Sequence, residues 1–495
     1  MEQLKENKQF KILFIIFILL SVIHIVYATI TMRGLYCDGA FIMLEQLNNF
    51  SSKIYKLTID SAHPRFMMSF LMQFPVMIAH ALFHIKNKFV LTGIYSFVQF
   101  AIPVILLLFN FMLTKRTKRL DILFWNIFTY GVIICPFMIF SVVESIIGFT
   151  LHFILWNYLC AKIDYKKTDI IFILFLLTMM FGTYEYVTFL GIIFFFAHFH
   201  YVMKEESFKI QFVKTLIGFG SLASAIYNII FMIRTDGEQG EVARFIVEAT
   251  NYFPHLLELN TIFSIITIIL LIIISFKKSN ISKVMMGIII VVYITALIYL
   301  LNTPLTSIYP MWEGHLRTVP CWFLPILFLV LLIKDIVSDK INENRYINLI
   351  CIALVCCIFQ SVWQMVNTYY WNKNINYMKN ELQNSNELLY IPSEHPELSG
   401  FHNKELRRYI WHGIFPATSI LFTEEYKQKT LLLSYDEQQD PGNGTFRDIL
   451  YVISDKKISI PFGAVVDIKN DYWDLTDCAK ALDEYNKENK IKTNR

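Results

Sequence analysis

Carboxylates and cations stand together in the short polar segments that separate the apolar runs of this chain. The first such segment carries Arg33, Asp38, Glu45, Asp60, His63 and Arg65; a later turn carries Glu144, and the next carries Tyr184-Glu185-Tyr186. Residues 234–258 add Arg234, Asp236, Glu238, Glu241, Arg244 and His255, and Trp312-Glu313-Gly314-His315-Leu316-Arg317 adds an acid, an imidazole and a guanidinium. A carboxylate can take a proton from a hydroxyl or another nucleophile. Arg and His can hold a phosphate leaving group and neutralise the charge that develops on it. Together these residues suit group transfer away from a phosphate. Each also has a plainer reading. Asp38 suits a helix N-cap, His63-Pro64 suits a first helical turn, Glu144 and Glu185 suit paired structural carboxylates, and Arg317 suits an interface anchor.

The elements that must position these groups are membrane helices. The chain is 55% hydrophobic and only 17% charged, whereas a soluble domain carries roughly 25% charged residues. Apolar runs bounded by charge predict spans at 11–31, 89–113, 121–141, 146–163, 169–184, 186–203, 212–233, 259–276, 283–301, 320–334 and 346–366, about eleven in all. A further apolar segment, 66–83, contains Pro75 and ends among His80, His84 and Lys86. It reads as an interfacial helix, because that reading puts the basic cluster Lys115-Arg116-Thr117-Lys118-Arg119 on the cytoplasmic side. The remaining inner loops are then basic too, through Lys162, Lys166, Lys167, Lys204, Lys209, Lys277, Lys278, Lys334, Lys340 and Arg345. The N-terminus is expected in the cytoplasm and all the acid–base segments outside. The apolar stretch after the N-terminal tail is of spanning length and is not followed by a small-residue cleavage site, so it reads as a retained helix.

Past about residue 370 the composition turns polar. Leu388–Ile391, Leu431–Tyr435 and Ile449–Ile453 read as strands, so a membrane-embedded unit over 1–366 and a small extracytoplasmic α/β domain over 367–495 are expected. Net charge is only +4, which gives no reason to expect a nucleic-acid partner. The cysteines form no metal or redox pattern. His80, His84, His198 and His200 lack a carboxylate at ligand spacing and read as structural. Asn49-Phe50-Ser51 and Asn443-Gly444-Thr445 match the glycosylation triplet, a pattern common by chance.

Asp38 within Tyr36-Cys37-Asp38-Gly39-Ala40-Phe41, the run His63-Pro64-Arg65-Phe66, the 115–119 cluster and the polar-aromatic turn Thr183–Tyr186 together resemble the GT-C superfamily. Those are polytopic glycosyltransferases that use polyprenyl-phosphate sugars. The resemblance covers the membrane region, most clearly residues 10–205. It implies an α-helical polytopic membrane protein of the cell membrane with a GT-C-like embedded domain. Its partners would be a polyprenyl-phosphate-linked sugar donor, membrane lipids, and an envelope glycan, lipid or protein as acceptor. Asp38 would be the catalytic base or acceptor-orienting group. His63, Arg65 and Arg317 would bind the donor phosphate, and Glu144, Tyr184, Glu185 and His315 would line the substrate site. Gly39 stands where many relatives carry a second acid, which argues against a metal, and Arg65 replaces the second Pro of a His-Pro-Pro run. No cofactor is implied. The alternatives are a transporter or flippase for a lipid-linked molecule and a non-catalytic membrane scaffold.

Overall fold

The computed structural model describes residues 6–36, 38–58, 66–134, 144–183, 187–234, 324–337, 343–390, 415–433, 435–436, 447–448, 452–454, 456–460 and 464–493. They are mostly helical. Helix α1 (Lys8–Ile30) is capped by Asn7, whose side chain accepts from Phe10 N at 2.9 Å. A short 3₁₀ turn, Arg33–Leu35, leads to α2 (Asp38–Ser51); then follow α3 (Phe66–Ala81), α4 (Lys88–Thr117), α5 (Leu120–Phe128, continued as a π-turn over Thr129–Ile134), α6 (Glu144–Cys160), α7 (Lys167–Met180), α8 (Val187–Val202) and α9 (Phe208–Arg234). Helix α10 covers 324–337, and α11 runs unbroken over Glu343–Asn384.

Among the described residues, four helices are long and apolar enough to cross a bilayer: Lys8–Ile30, Lys88–Thr117, Phe208–Phe231 and Arg345–Asn384. Shorter apolar helices lie over Phe66–Ala81, Ile147–Cys160 and Thr188–Val202. The chain is thus a helical protein of membrane type. Large apolar side chains left exposed on α1, among them Ile15, Leu19, Val22 and Val26, form the surface expected of a helix facing hydrocarbon. The expected spans at 259–276 and 283–301 lie outside the described residues. That at 121–141 starts as α5 and widens into the π-turn over Thr129–Ile134.

Ion pairs fasten one end of the bundle, here termed the basic end. Arg119 donates to Asp121 through Nε at 2.9 Å and Nη2 at 2.8 Å, and Lys334 also pairs with Asp121. Arg119 reaches Asp335 at 2.8 Å, and Tyr201 donates to the same carboxylate at 2.7 Å. Asp121 is fully buried, and Arg119, Lys334 and Asp335 nearly so, so α5, α8 and α10 meet on one desolvated network. Nearby, Arg116 forms a two-pronged pair with Asp169 at 2.6 and 2.9 Å. Asp169 also caps the first turn of α7 by accepting from Lys166 N at 2.7 Å. Two of the four cations in the 115–119 cluster are therefore fasteners as well as topology signals.

The opposite end carries the strands. Helix α11 passes without a break through the composition change at residue 367 and ends at Asn384. Its 42 residues measure about 63 Å, about twice the hydrocarbon thickness. Strand β1 (Leu389–Tyr390) pairs in parallel with β2 (Leu431–Leu432), and α12 (Phe415–Phe422) lies between them in sequence. Strands β3 (Tyr435–Asp436) and β4 (Arg447–Asp448) form an antiparallel pair. Strands β5 (Val452–Ser454), β6 (Lys457–Ile460) and β7 (Ala464–Asp467) form a meander in which Ile458, Ile460, Ala464 and Val466 face inward. The final helix, α13 (Thr476–Thr493), starts at Asp474, whose carboxylate accepts from Thr476 N at 3.0 Å and pairs with Lys469 at 2.8 Å. Cys478 on α13 is buried and donates to Gln428 O at 3.6 Å, and burial pushes its thiol up to about 12. It is therefore an inert thiol at neutral pH.

Two outcomes follow. Asp121→Ala leaves Arg119 and Lys334 buried without their shared counter-charge and should cost about 3–5 kcal/mol. Thermal unfolding in detergent reads this, against a Lys429→Ala control that breaks only an exposed pair and costs well under about 1 kcal/mol. Asp474 is held down at about 2 by Lys469 and Thr476. Its contribution is present at neutral pH and is lost as pH falls from about 3.8 through about 2. Asp474→Asn should flatten the acid limb of a stability–pH curve in that window.

Candidate functional site

The backbone that carries Asp38 is fixed from three sides. Arg33 is buried and donates through Nη1 to Gln364 O at 2.8 Å and to the Thr368 hydroxyl at 2.6 Å, both on α11. Trp371 Nε1 donates to Thr31 O at 3.0 Å, and the Tyr36 ring meets the Trp371 ring edge-on at 5.5 Å. From α4, the Ser96 hydroxyl accepts from Gly34 N at 3.0 Å. Gly39 then sits so close to the Gly34 carbonyl and the Tyr95 ring that a Cβ there would overlap them. The 3₁₀ turn and the first turn of α2 can approach this closely because both positions lack a side chain.

Helix α3 brings a second segment to the same place. Gln46 Nε2 donates to Gln73 O at 3.3 Å, and the Phe50 ring stacks on the His80 ring at 4.4 Å. Both contacts advance in the same direction along the two helices, so α2 and α3 run parallel. Counting back from Gln46 and Gln73, Asp38 and Phe66 lie about 12 Å and about 10 Å along their helix axes. The two N-termini are therefore nearly level. Gln73 also clasps the strand-like stretch before the candidate His63-Pro64-Arg65 run: Thr58 N donates to its Oε1 at 2.8 Å, and its Nε2 donates to Thr58 O at 2.7 Å.

The turn after α7 closes on the start of α3. Met67 N donates to Gly182 O at 3.1 Å. Gly182 has φ +68° and lies against the Phe66 ring with no room for a Cβ. Residue 66, which follows Arg65, thus touches the residue pair that precedes Tyr184 and Glu185. Helix α6 places Glu144 at this same end, because Asn157 near its other terminus bonds Asn110 at 2.9 Å and Thr114 at 3.1 Å toward the basic end of α4.

Asp38 and Glu144 are thus the first residues of α2 and α6, at the strand end of the bundle. His63, Arg65, Tyr184, Glu185, His315 and Arg317 lie outside the described residues. Of these, the 63–65 run directly precedes Phe66, which touches Gly182, and the 184–185 pair follows that glycine by two residues in sequence; residues 315–317 precede α10 in sequence. Arg33, read from sequence as one more outer cation, is instead bound to α11. Asn49 of the first glycosylation triplet is buried, and the Ser51 hydroxyl accepts from Asp471 N at 2.9 Å, so that triplet is structural. Among the described residues no group of three or more His, Cys, Asp and Glu side chains is placed to hold a metal ion.

Two features escaped the sequence. Asn48 accepts from Asp467 N and Asn470 Nδ2, each at 3.0 Å, tying α2 to the C-terminal meander. Gln73 clasps Thr58 across a segment that has no periodic pattern. A polar amide on an otherwise apolar helix was the available signal for Gln73. Burial keeps the His80 imidazole below its usual range, so it is neutral at pH 7, and its ring nitrogen lies 3.1 Å from the Tyr55 hydroxyl.

No protein-family model matches the chain, and neither the curated proteins nor the solved structures give a match.

The close approach at Gly39 sets an expected outcome. Gly39→Ala should destabilise by about 1–3 kcal/mol as an overpacking change. At Gly93, a Cβ would meet only ordinary contacts 3.7–3.8 Å away on Thr29. Gly93→Ala should therefore be neutral or stabilising by up to about 1 kcal/mol through helix propensity. Thermal melts of the two variants in the same detergent check the contrast.

Proposed function

We propose that the chain is a membrane glycosyltransferase that moves a sugar from a polyprenyl-phosphate donor to a cell-envelope acceptor. The strand end of the bundle would face outside and the basic end the cytoplasm, with α3 in the outer interface and about eleven spans in all. The observation that supports this reading is the contact of the start of α3 with the Gly182 turn, with the N-terminus of α2 at a similar level along the bundle. That arrangement sets the chain on either side of the 63–65 run, the 184–185 turn and Asp38 toward one end of the bundle. Helix N-termini favour negative charge, so two level N-termini make a favourable place for a lipid phosphate.

In this reading Asp38 accepts the proton of the acceptor hydroxyl as that oxygen attacks the anomeric carbon. The bond from that carbon to the phosphate oxygen breaks, and the electron pair leaves with the lipid phosphate. Arg65, His63 and Arg317 would hold the departing phosphate. Glu144, Tyr184, Glu185 and His315 would line the sugar and acceptor positions. The donor is lipid-borne and enters sideways from the outer leaflet, so no nucleotide is needed.

Asp38→Asn keeps the size of the side chain and removes the base. It should lower formation of the glycosylated envelope product by at least about 100-fold, with unchanged protein level in the membrane. Quantifying the product in cells carrying the variant checks this. Should Asp38→Asn and Arg65→Ala both leave the product and phenotype intact while removal of 370–495 abolishes the phenotype, the chain is a scaffold and not a transferase.

A further inference from the structure

The α8–α9 pair holds a row of buried polar side chains with nothing to bond. Asn228 has no exposed surface, and neither its Oδ1 nor its Nδ2 has a hydrogen-bond partner. Thr188 Oγ1, Ser221 Oγ and Ser224 Oγ are likewise buried and unsatisfied. Several hydroxyls on other apolar helices of this protein bond back to the carbonyl one turn earlier, as Thr92 does to Lys88, Thr114 to Asn110 and Thr178 to Leu174, although Ser21 and Thr129 do not. Those of the α8–α9 pair do not. An amide left unpaired in an apolar setting is destabilising, and a buried polar group without a partner calls for a physical reason such as a ligand that completes it.

The position of the row is defined by the packing of the two helices. Gly218 lies against the His198 ring, and Gly191 against Ser221 and Ala225. These contacts give an antiparallel register that continues to Thr188 beside Asn228. That level adjoins the start of α3 through the residue next to Asn228. Tyr227, the neighbour of Asn228, meets the Phe66 ring at 5.9 Å and the Phe181 ring at 5.8 Å. Thr188 follows the Tyr184–Tyr186 turn by two residues.

We infer that Asn228 and Thr188 form a hydroxyl-reading subsite that selects the sugar carried by the donor. This rests on the glycosyl-transfer reading and adds to it the residues that discriminate. A carboxamide and a hydroxyl are uncharged, and each both donates and accepts. They complement a neutral hydroxyl and offer no advantage to an anion. A site built to hydrogen-bond a hydroxyl rejects a ligand that lacks it, because its own buried groups are then left unpaired.

The experiment uses the full chain in nanodiscs with bare undecaprenyl phosphate and with undecaprenyl-phosphate-linked glucose, galactose, mannose, N-acetylglucosamine and arabinose as probes. Wild type should bind at least one glycosylated lipid about tenfold more tightly than the bare lipid, the worth of a net hydrogen bond or two. Asn228→Leu and Thr188→Val should each bring that ratio toward one and leave affinity for the bare lipid unchanged. Asn228→Leu should also raise the melting temperature of the lipid-free protein, because it removes an unsatisfied amide. If bare lipid binds but the variants keep the wild-type preference, or wild type shows none, the subsite is refuted while a lipid-phosphate site stands. If wild type binds neither the bare nor any glycosylated lipid, the glycosyl-transfer reading fails and takes the subsite with it.

Discussion

The buried guanidinium of Arg33 is the contact on which the strand end depends. It projects from the 3₁₀ turn after α1 to α11, where it finds a carbonyl and a hydroxyl 331 and 335 residues further along the chain. A charge withdrawn from water is tolerated only when its donors are matched, so α1, the 3₁₀ turn and α11 have to hold one relative position. The same bond fixes the entry to α2. Through Asn48, α2 in turn carries the C-terminal meander. One interaction thus links the first helix, the last long helix and the terminal strands.

The two ends of the bundle are held by different physics. At the basic end, full charges are paired in a desolvated network of four residues plus Tyr201. At the strand end, the fixing contacts are mostly backbone groups met by neutral side chains, together with glycines that allow backbones to touch. Ion networks hold geometry tightly but tolerate no loss of a member. At the strand end the buried cations Arg33 and Lys88 are met by backbone carbonyls and, for Arg33, a hydroxyl.

Much of the helix pattern was legible. Glu144–Cys160, Lys167–Met180, Val187–Val202 and Phe208–Arg234 lie within a few residues of the predicted spans, because apolar runs bounded by charge are the strongest signal a membrane sequence offers. The strands at 389–390 and 431–432 also fell in the predicted apolar stretches. Other features were not legible because they depend on partners far away in sequence. The use of Arg116 and Arg119 as fasteners requires Asp169 and Asp335. The persistence of α11 past residue 367 requires α1 and α12 to pack along it. For the candidate site, the sequence showed which residue types were available. The level of α2 with α3 emerged only from Gln46 on Gln73 and Phe50 on His80. Asn228 was passed over because a lone amide in an apolar run looks like a tolerated polar residue until its surroundings are known.

Helix α7 has a consequence for the surrounding lipid. Its 14 residues rise only about 21 Å, short of a hydrocarbon layer about 30 Å thick. An element that short draws the two leaflets toward it, at a modest elastic cost spread over the neighbouring acyl chains. The dimple would form beside the Gly182 turn. A lipid headgroup in the leaflet at that end would there sit lower against the protein than in the surrounding bilayer.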